Sequence, residues 1–151
     1  MKYKIRVANE NDCEVLNFLF ARLLENDRLY DSNIKEELTM KGFFNKRILE
    51  LDSIILVAII DDLVVGYIYG YIRRDNKIKI ELEAYIESLY VVKEYRNNGI
   101  GTELISKLIE NVKKQGVKYL FIENKVTNES PKRIYSKLNF DLFIENRRKE
   151  I

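Results

Sequence analysis

The segment from Glu87 to Leu108 reads ESLYVVKEYRNNGIGTELISKL, and it decides how the rest of the chain is arranged. Its β-rich beginning predicts a strand that ends near Val91–Val92, and a polar loop follows. From Gly99 onwards, apolar residues recur with a helical period. The glycines at 99 and 101 let a ligand approach the backbone, and the first amides of a helix have no internal partner. The segment therefore predicts a strand, a loop and a helix whose N terminus binds an anion.

Two familiar phosphate-binding loops fit this spacing poorly. The dinucleotide fingerprint needs a glycine or alanine where Leu104 stands, and the Gly-Lys-Ser/Thr of the P-loop is absent. The arrangement Arg96-x-x-Gly99-x-Gly101 after a strand instead resembles the GNAT superfamily of acyl-CoA-dependent N-acyltransferases.

A second motif further along the chain carries the same resemblance. Asn128, Tyr135 and Asn139-Phe140 are similar to the family's Asn…Tyr…Gly-Phe signature, with asparagine in place of glycine. Asparagine tolerates a left-handed backbone conformation, so we expect the turn at Asn139 to remain intact. The resemblance covers roughly the whole chain and is strongest from Tyr85 to Phe140.

The resemblance implies that acetyl-CoA binds as the acyl donor. Its pyrophosphate would lie over the amides of the glycine loop, with Arg96 adding charge. Its pantetheine arm would pair with the backbone of a bulged strand that splays from its neighbour, and Asn128 would bond the pantetheine amides or merely cap a turn. The expected donor-site residues are Leu89, Tyr90, Val91, Arg96, Asn97, Asn98, Gly99, Ile100, Gly101, Thr102 and Asn128.

The family's reaction is the attack of an amine on the thioester of acetyl-CoA. A lysine-like amine has a pKa near 10.4, so removing its proton at pH 7 costs about 4.6 kcal/mol and requires a proton acceptor. Glu87 matches a glutamate at a similar strand end in diamine acetyltransferases, and the resemblance implies that it is this base, acting directly or through water. Glu83 is the second candidate for the base. Tyr135 matches the tyrosine that protonates the leaving thiolate, a transfer that is uphill by roughly 2 kcal/mol for an ordinary phenol. A surface carboxylate and a packing tyrosine stay open as alternatives.

Apolar and polar residues alternate strictly from Ile78 to Glu87, which predicts one long strand with an apolar face and an acidic face. The acidic face carries Glu81, Glu83 and Glu87, and it is merely solvated if the strand lies at an edge. In the fold that the resemblance implies, this strand is central and its second face opens into the active site. We therefore expect Glu81 and Glu83 to hold distal positive charges of a substrate.

Composition limits the choice of partners and sites. The chain has 151 residues, 26 basic and 24 acidic, and its net charge of +2 favours neither nucleic acid nor a membrane as a partner. It has no histidine, which excludes His-ligated metal sites and the usual general base, and no metal is expected. The single cysteine, Cys13, is interpreted as a packing residue. No signal-peptide pattern is present, so we expect a cytoplasmic protein.

The N-terminal third predicts a strand and a helix and is otherwise unclear. Lys2–Ala8 alternates as a strand, and Asn11 with Glu14 resembles a capping box that starts a helix. The segment Leu29–Asp52 suggests a helix interrupted at Gly42, and in the family this region often lines the acceptor site.

The middle of the chain predicts a hairpin. Ile54–Ile60 and Leu63–Arg73 are two apolar runs joined by two aspartates, which is typical of antiparallel strands with a tight turn. The second run places Tyr67, Tyr69 and Tyr71 on one face, where packing against a helix is favoured over contact with a substrate.

After the glycine-loop helix, the chain predicts three further elements. Lys118–Glu123 forms a strand, Ser130-Pro131 starts a helix, and Phe140–Ile144 forms a last strand. Family members with two terminal strands continue further, so a partner that completes the sheet, as in a homodimer, stays an open alternative.

Together these elements predict a single α/β domain over residues 1–151, with a mixed GNAT-like sheet and about four flanking helices. The expected function is transfer of an acetyl group from acetyl-CoA to a primary amine by direct attack in a ternary complex. The amine would be a cationic small molecule, such as a polyamine or aminoglycoside, or a protein amine. The alternatives are a non-catalytic acyl-CoA-binding regulatory module and an oligomeric interaction protein.

Overall fold

One mixed sheet organises the chain, and the computed structural model describes all residues from 1 to 151. The first four strands are antiparallel and the fifth runs parallel to the fourth, in the spatial order β1-β2-β3-β4-β5. The strands are β1 Lys4–Val7, β2 Ser53–Ile60, β3 Leu63–Arg73, β4 Glu83–Val91 and β5 Tyr119–Ile122. The helices are α1 Cys13–Asp27, α2 Phe43–Arg47, α3 Ile100–Lys114 and α4 Lys132–Lys137. The predicted α/β fold with a mixed sheet and four helices is confirmed.

Helices cover both faces of this sheet because its strands alternate two sets of apolar side chains. On one face, α3 buries Leu104 and Leu108 against residues such as Ile68. On the other face, α1 and α2 pack on Tyr67 and Tyr69, both almost fully buried. The packing interpretation is therefore confirmed for Tyr67 and Tyr69, whereas Tyr71 is only half-buried. None of the four helices combines the length and the apolar character needed to cross a bilayer.

The hairpin between β2 and β3 forms as the sequence predicts. Asp61 and Asp62 both have positive φ, 47° and 65°, which is the geometry of a type I′ turn. This turn matches the twist of the paired strands, so eight-residue β2 and eleven-residue β3 align along most of their length.

The prediction for the start of β4 is wrong. The strand begins at Glu83, and Ile78 and Ile80 are 88% and 100% exposed instead of forming an apolar face. The side-chain oxygen of Asn76 accepts a hydrogen bond from the backbone of Ile78 at 3.2 Å, and this local turn keeps the chain out of the sheet.

Three boundaries elsewhere also differ from the predictions. The capping box is formed by Asn9 and Asp12 around a short 3₁₀ turn, and α1 then begins at Cys13. Only five residues of the segment before β2 form a helix, α2, which starts after Gly42. The last strand, predicted over Phe140–Ile144, does not form.

A close approach of two backbones beside a β-bulge fixes the centre of the sheet. The register of β3 and β4 pairs Tyr69 with Ser88 and Gly70 with Ile86, so Glu87 is the extra residue of the bulge. A Cβ atom on Gly70 would lie 2.8 Å from the carbonyl oxygen of Tyr85. Glycine is therefore needed at position 70 for the strands to meet here.

We expect Gly70→Ala to lower the free energy of unfolding by about 1–3 kcal/mol, because the added methyl group would force β3 and β4 apart. The measurement is urea denaturation followed by circular dichroism. Gly101→Ala is the matched control, since its Cβ would meet Ile134 at an ordinary 3.6 Å. Equal stability of the two variants would contradict the steric argument.

Candidate active site

The N terminus of α3 is open to an anion. Gly99 occupies the N-cap position with φ of 80°, and no side chain caps the helix. Asn97 also has a positive φ of 63°. The side-chain amide of Asn98 donates to the backbone carbonyl oxygens of Tyr95 and Arg96 at 3.2 and 2.9 Å. These interactions hold the loop in a shape that leaves the first helical amides without a partner. Such a group of amides can bind phosphate oxygens.

Arg96 lies beside this loop and is oriented by the end of β4. Its Nε donates to the carbonyl oxygen of Val91 at 2.8 Å, and its guanidinium lies 5.3 Å from the ring centroid of Tyr90. This single hydrogen bond leaves the two terminal nitrogens of Arg96 available for an anion. The structure thus brings Arg96 and the glycine loop together, as the sequence predicts.

β4 and β5 separate next to this loop. Their parallel pairing runs from Glu83 and Tyr119 to Ile86 and Ile122, where β5 ends. β4 continues to Val91 and pairs only with β3 on its other side. The peptide groups of Leu89, Tyr90 and Val91 that point away from β3 therefore have no strand partner, and an extended ligand can bond them.

Glu87 lies at the bulge, on the sheet face opposite α3, and lines a shallow cavity of about 360 Å³ that is open to solvent. Burial raises the pKa of its carboxyl group, while the guanidinium of Arg47 and the hydroxyl of Tyr69 oppose the rise. Glu50 adds to the rise by like-charge repulsion. Because its pKa is raised, Glu87 accepts a proton more readily than an ordinary glutamate does. The cavity is lined by Arg47, Glu50, Asp52, Ser53, Tyr69, Tyr71, Ile72 and Glu87.

The other two carboxylates of the predicted acidic face are placed differently. Glu81 lies outside β4 in an exposed bend, so it does not share a strand face with Glu87. Glu83 is buried and already has partners, since Lys79 lies 3.3 Å from it and the Tyr85 hydroxyl donates to it at 2.9 Å. The expectation that Glu81, Glu83 and Glu87 act as one acidic face is therefore wrong.

Tyr135 lies on α4 and packs against Phe140, with ring centroids 5.9 Å apart. Burial raises its pKa to about 12, and the charge of Asp27 adds to the rise. A thiol has a pKa of about 8.5, so complete transfer of a proton from such a phenol to a thiolate would be uphill by roughly 5 kcal/mol. A hydrogen bond from the phenol to a thiolate is the easier contribution.

Asn128 lies in the turn before α4. Its side-chain oxygen accepts a hydrogen bond from the backbone of Ser130 at 3.3 Å, which is a local capping interaction. Its amide nitrogen remains able to donate. The left-handed conformation expected at Asn139 is confirmed, with φ of 60°, so the turn after α4 is intact.

The structure adds residues that the sequence did not indicate. Arg47 and Glu50 line the cavity of Glu87, but they lie in the segment whose pattern was unclear. The hydroxyl groups of Tyr67 and Ser88 are buried beside the bulge, and neither has a hydrogen-bond partner. No sequence signal distinguishes these side chains from ordinary packing or surface residues.

Comparison with known proteins identifies the family of this chain. The Acetyltransferase (GNAT) family model matches residues 9–140. An N-alpha-acetyltransferase from Saccharolobus solfataricus is 30% identical over 104 residues, which cover 65% of this chain and 62% of that protein. A thialysine N-epsilon-acetyltransferase from Mus musculus is 33% identical over 118 residues, covering 71% of this chain and 65% of that protein. The chain thus spans slightly less than two thirds of either relative.

Solved structures show the same fold. A mutant of the BH1408 protein from Bacillus halodurans superimposes with a TM-score of 0.86 at 18% identity, covering 98% of this chain and 99% of that one. AAC(6')-Iy, in complex with the bisubstrate analogue CoA-S-monomethyl-acetylneamine, gives a TM-score of 0.74 at 16% identity and covers both chains completely.

We expect Gly101→Glu to weaken CoA binding at least about tenfold, because its carboxylate would repel phosphate at the free amides of α3. Isothermal titration calorimetry with CoA measures the effect. Gln115→Glu, which adds the same charge at the far end of α3, should bind CoA as the unmodified protein does. Unchanged affinity in a folded Gly101→Glu protein would remove the donor site from this loop.

Proposed function

Because this chain belongs to the GNAT acetyltransferase family, we propose that it transfers an acetyl group from acetyl-CoA to a primary amine within a ternary complex. The observation that carries this proposal is the opening between β4 and β5, which lies between the uncapped N terminus of α3 and the carboxylate of Glu87. A donor and an acceptor can reach this opening from opposite faces of the sheet.

The donor is held by backbone groups more than by side chains. The pyrophosphate of CoA accepts hydrogen bonds from the amides of Ile100, Gly101 and Thr102, and the free nitrogens of Arg96 add charge. The pantetheine arm bonds the peptide groups of Leu89–Val91 that point away from β3, apart from the Val91 carbonyl, which accepts from Arg96. The side-chain amide of Asn128 is an additional donor. A free backbone N–H in this stretch polarises the thioester carbonyl.

In the chemical step, the amine nitrogen forms a bond to the thioester carbon and the bond from that carbon to sulfur breaks. The proton of the amine passes to Glu87, directly or through water. The electron pair of the broken bond stays on sulfur, and the Tyr135 hydroxyl stabilises this thiolate by a hydrogen bond. The products are an amide and CoA.

The leading acceptor is the α-amine of a polypeptide. An α-amine has a pKa of about 7.7–8.0, so freeing it at pH 7.5 costs below about 1 kcal/mol, compared with about 4 kcal/mol for a lysine-like amine. The N-alpha-acetyltransferase relatives support this class. A lysine-like or small cationic amine is the second candidate, supported by the thialysine relative and by the free carboxylate of Glu87.

The deciding experiment is CoA thiol release with a panel of acceptors: a peptide with a free N terminus, a lysine peptide with a blocked N terminus, spermidine and an aminoglycoside. Release with at least one amine supports the enzyme. CoA binding without release from any acceptor would instead favour the non-catalytic acyl-CoA-binding module.

We expect Glu87→Gln to lower kcat/KM about 100-fold near neutral pH, because the proton acceptor is removed. The loss should shrink as pH rises, since a larger share of the amine is then already free. In the unmodified enzyme, the acidic limb of the pH profile should fall at a higher pH than an ordinary glutamate would give, because burial raises the pKa of Glu87. Glu110→Gln, on the exposed side of α3, is the control. Matching pH profiles for the two variants would exclude Glu87 as the base.

We expect Tyr135→Phe to lower kcat about tenfold or more while CoA affinity stays within a factor of about two. The ring remains to pack on Phe140, and only the hydrogen bond to the leaving sulfur is lost. Single-turnover kinetics and CoA titration separate the two quantities. An unchanged kcat would assign Tyr135 to packing.

A further inference from the structure

The charges that line the cavity of Glu87 are almost fully paired. A guanidinium nitrogen of Arg47 lies 2.9 Å from a carboxylate oxygen of Glu50, and Nε of Arg74 lies 2.6 Å from a carboxylate oxygen of Asp52. Glu87 is the lining carboxylate that has no cation within ion-pair distance. The cavity is lined by three carboxylates and one guanidinium. Arg74 is not a lining residue but pairs with Asp52, so the carboxylate left without a cation is that of Glu87, at the bulge.

Arg47 is a fixed part of this wall. It is the last residue of α2, and its guanidinium lies 4.7 Å from the ring centroid of Phe43. Phe43 and Phe44 in turn pack edge-on against Tyr69, on the strand that forms the floor of the cavity. The packing of these rings places α2, and the ion pair with Glu50 and the contact with Phe43 hold the guanidinium of Arg47 at the wall of the cavity.

We propose that this cavity selects acceptors with one positive charge, the reacting ammonium, and that Arg47 disfavours acceptors with a second cation close to the first. This inference rests on the proposed function and names its substrate class. A second ammonium would meet the guanidinium of Arg47, because Glu87 is already occupied by the first. Polyamines and aminoglycosides are thus poor acceptors, and polypeptide N termini followed by uncharged residues are good ones.

The uncharged part of such an acceptor has a matching surface. Tyr71 lines the cavity and stacks on Tyr85, with ring centroids 5.5 Å apart, and Tyr85 stacks on Phe121 at 5.1 Å. These half-buried rings cross β3, β4 and β5 on the face that carries Glu87. Neutral side chains can pack along these rings without the free-energy cost of removing a charged group from water.

The test compares two peptides that each have one reactive amine and differ only at the second residue, alanine or arginine. Steady-state CoA release gives kcat/KM for both. The unmodified protein should prefer the alanine peptide roughly tenfold, and Arg47→Gln should reduce this preference at least about threefold. Lys46→Gln, which removes the same charge from an exposed neighbouring position on α2, should leave the preference unchanged.

Glu50→Gln provides a second, opposite variant. It removes the partner of Arg47 and should increase the preference for the alanine peptide. If Arg47→Gln does not fold, as judged by circular dichroism and CoA binding, Glu50→Gln decides. An unchanged or reversed preference in a folded variant, or an unmodified protein that prefers the arginine peptide or spermidine, overturns the charge rule while leaving the acetyltransferase function standing. Absence of CoA release with every amine overturns the proposed function itself.

Discussion

The separation of β4 from β5 is the constraint on which the site depends. Four residue pairs join β4 to β5. Beyond Ile86 and Ile122, the edge of β4 that faces away from β3 has no strand partner. Unpaired peptide groups inside a fold are destabilising unless another molecule bonds them. A ligand that carries amides of its own, as pantetheine does, meets this need. The same opening therefore weakens the free sheet and is the place where, in the proposed function, the donor binds.

The bulge at Glu87 places different groups on the two faces of the sheet at this opening. The amides at the start of α3 lie on the face that α3 covers, whereas Glu87 faces the cavity next to α2. Because one extra residue on β4 shifts the alternation of side chains, Leu89 and Val91 join the α3 face and Tyr90 joins the other. Gly70 permits this arrangement, since any side chain there would collide with β4. Thus one local irregularity positions both the donor edge and the proposed base.

Local signals in the sequence predicted the parts of the fold that depend on local chemistry. The hairpin turn, the loop before α3 and the left-handed Asn139 follow from residue type and spacing. Alternation alone misled the prediction at Ile78, and the strand predicted over Phe140–Ile144 does not form either, because a strand also needs a neighbour to pair with. The C-terminal segment after α4 is instead held by side chains. The ring centroids of Phe143 and Phe121 lie 5.6 Å apart, and the guanidinium of Arg148 donates to the carboxylate of Asp31 at 3.0 Å. The wall formed by α2 depends on tertiary packing of Phe43 and Phe44, which no periodic pattern indicates.

The ion pairs around the cavity link selectivity to basicity. A guanidinium paired directly with Glu87 would lower the pKa of that carboxyl and make it a weaker base. Arg47 is kept from this role because Glu50 and the ring of Phe43 hold it. Arg74 is likewise held by Asp52. In the proposed mechanism, the pairing that leaves Glu87 free to accept a proton is also the pairing that leaves room for one ammonium. The charge of the acceptor and the strength of the base would then both depend on one arrangement of side chains.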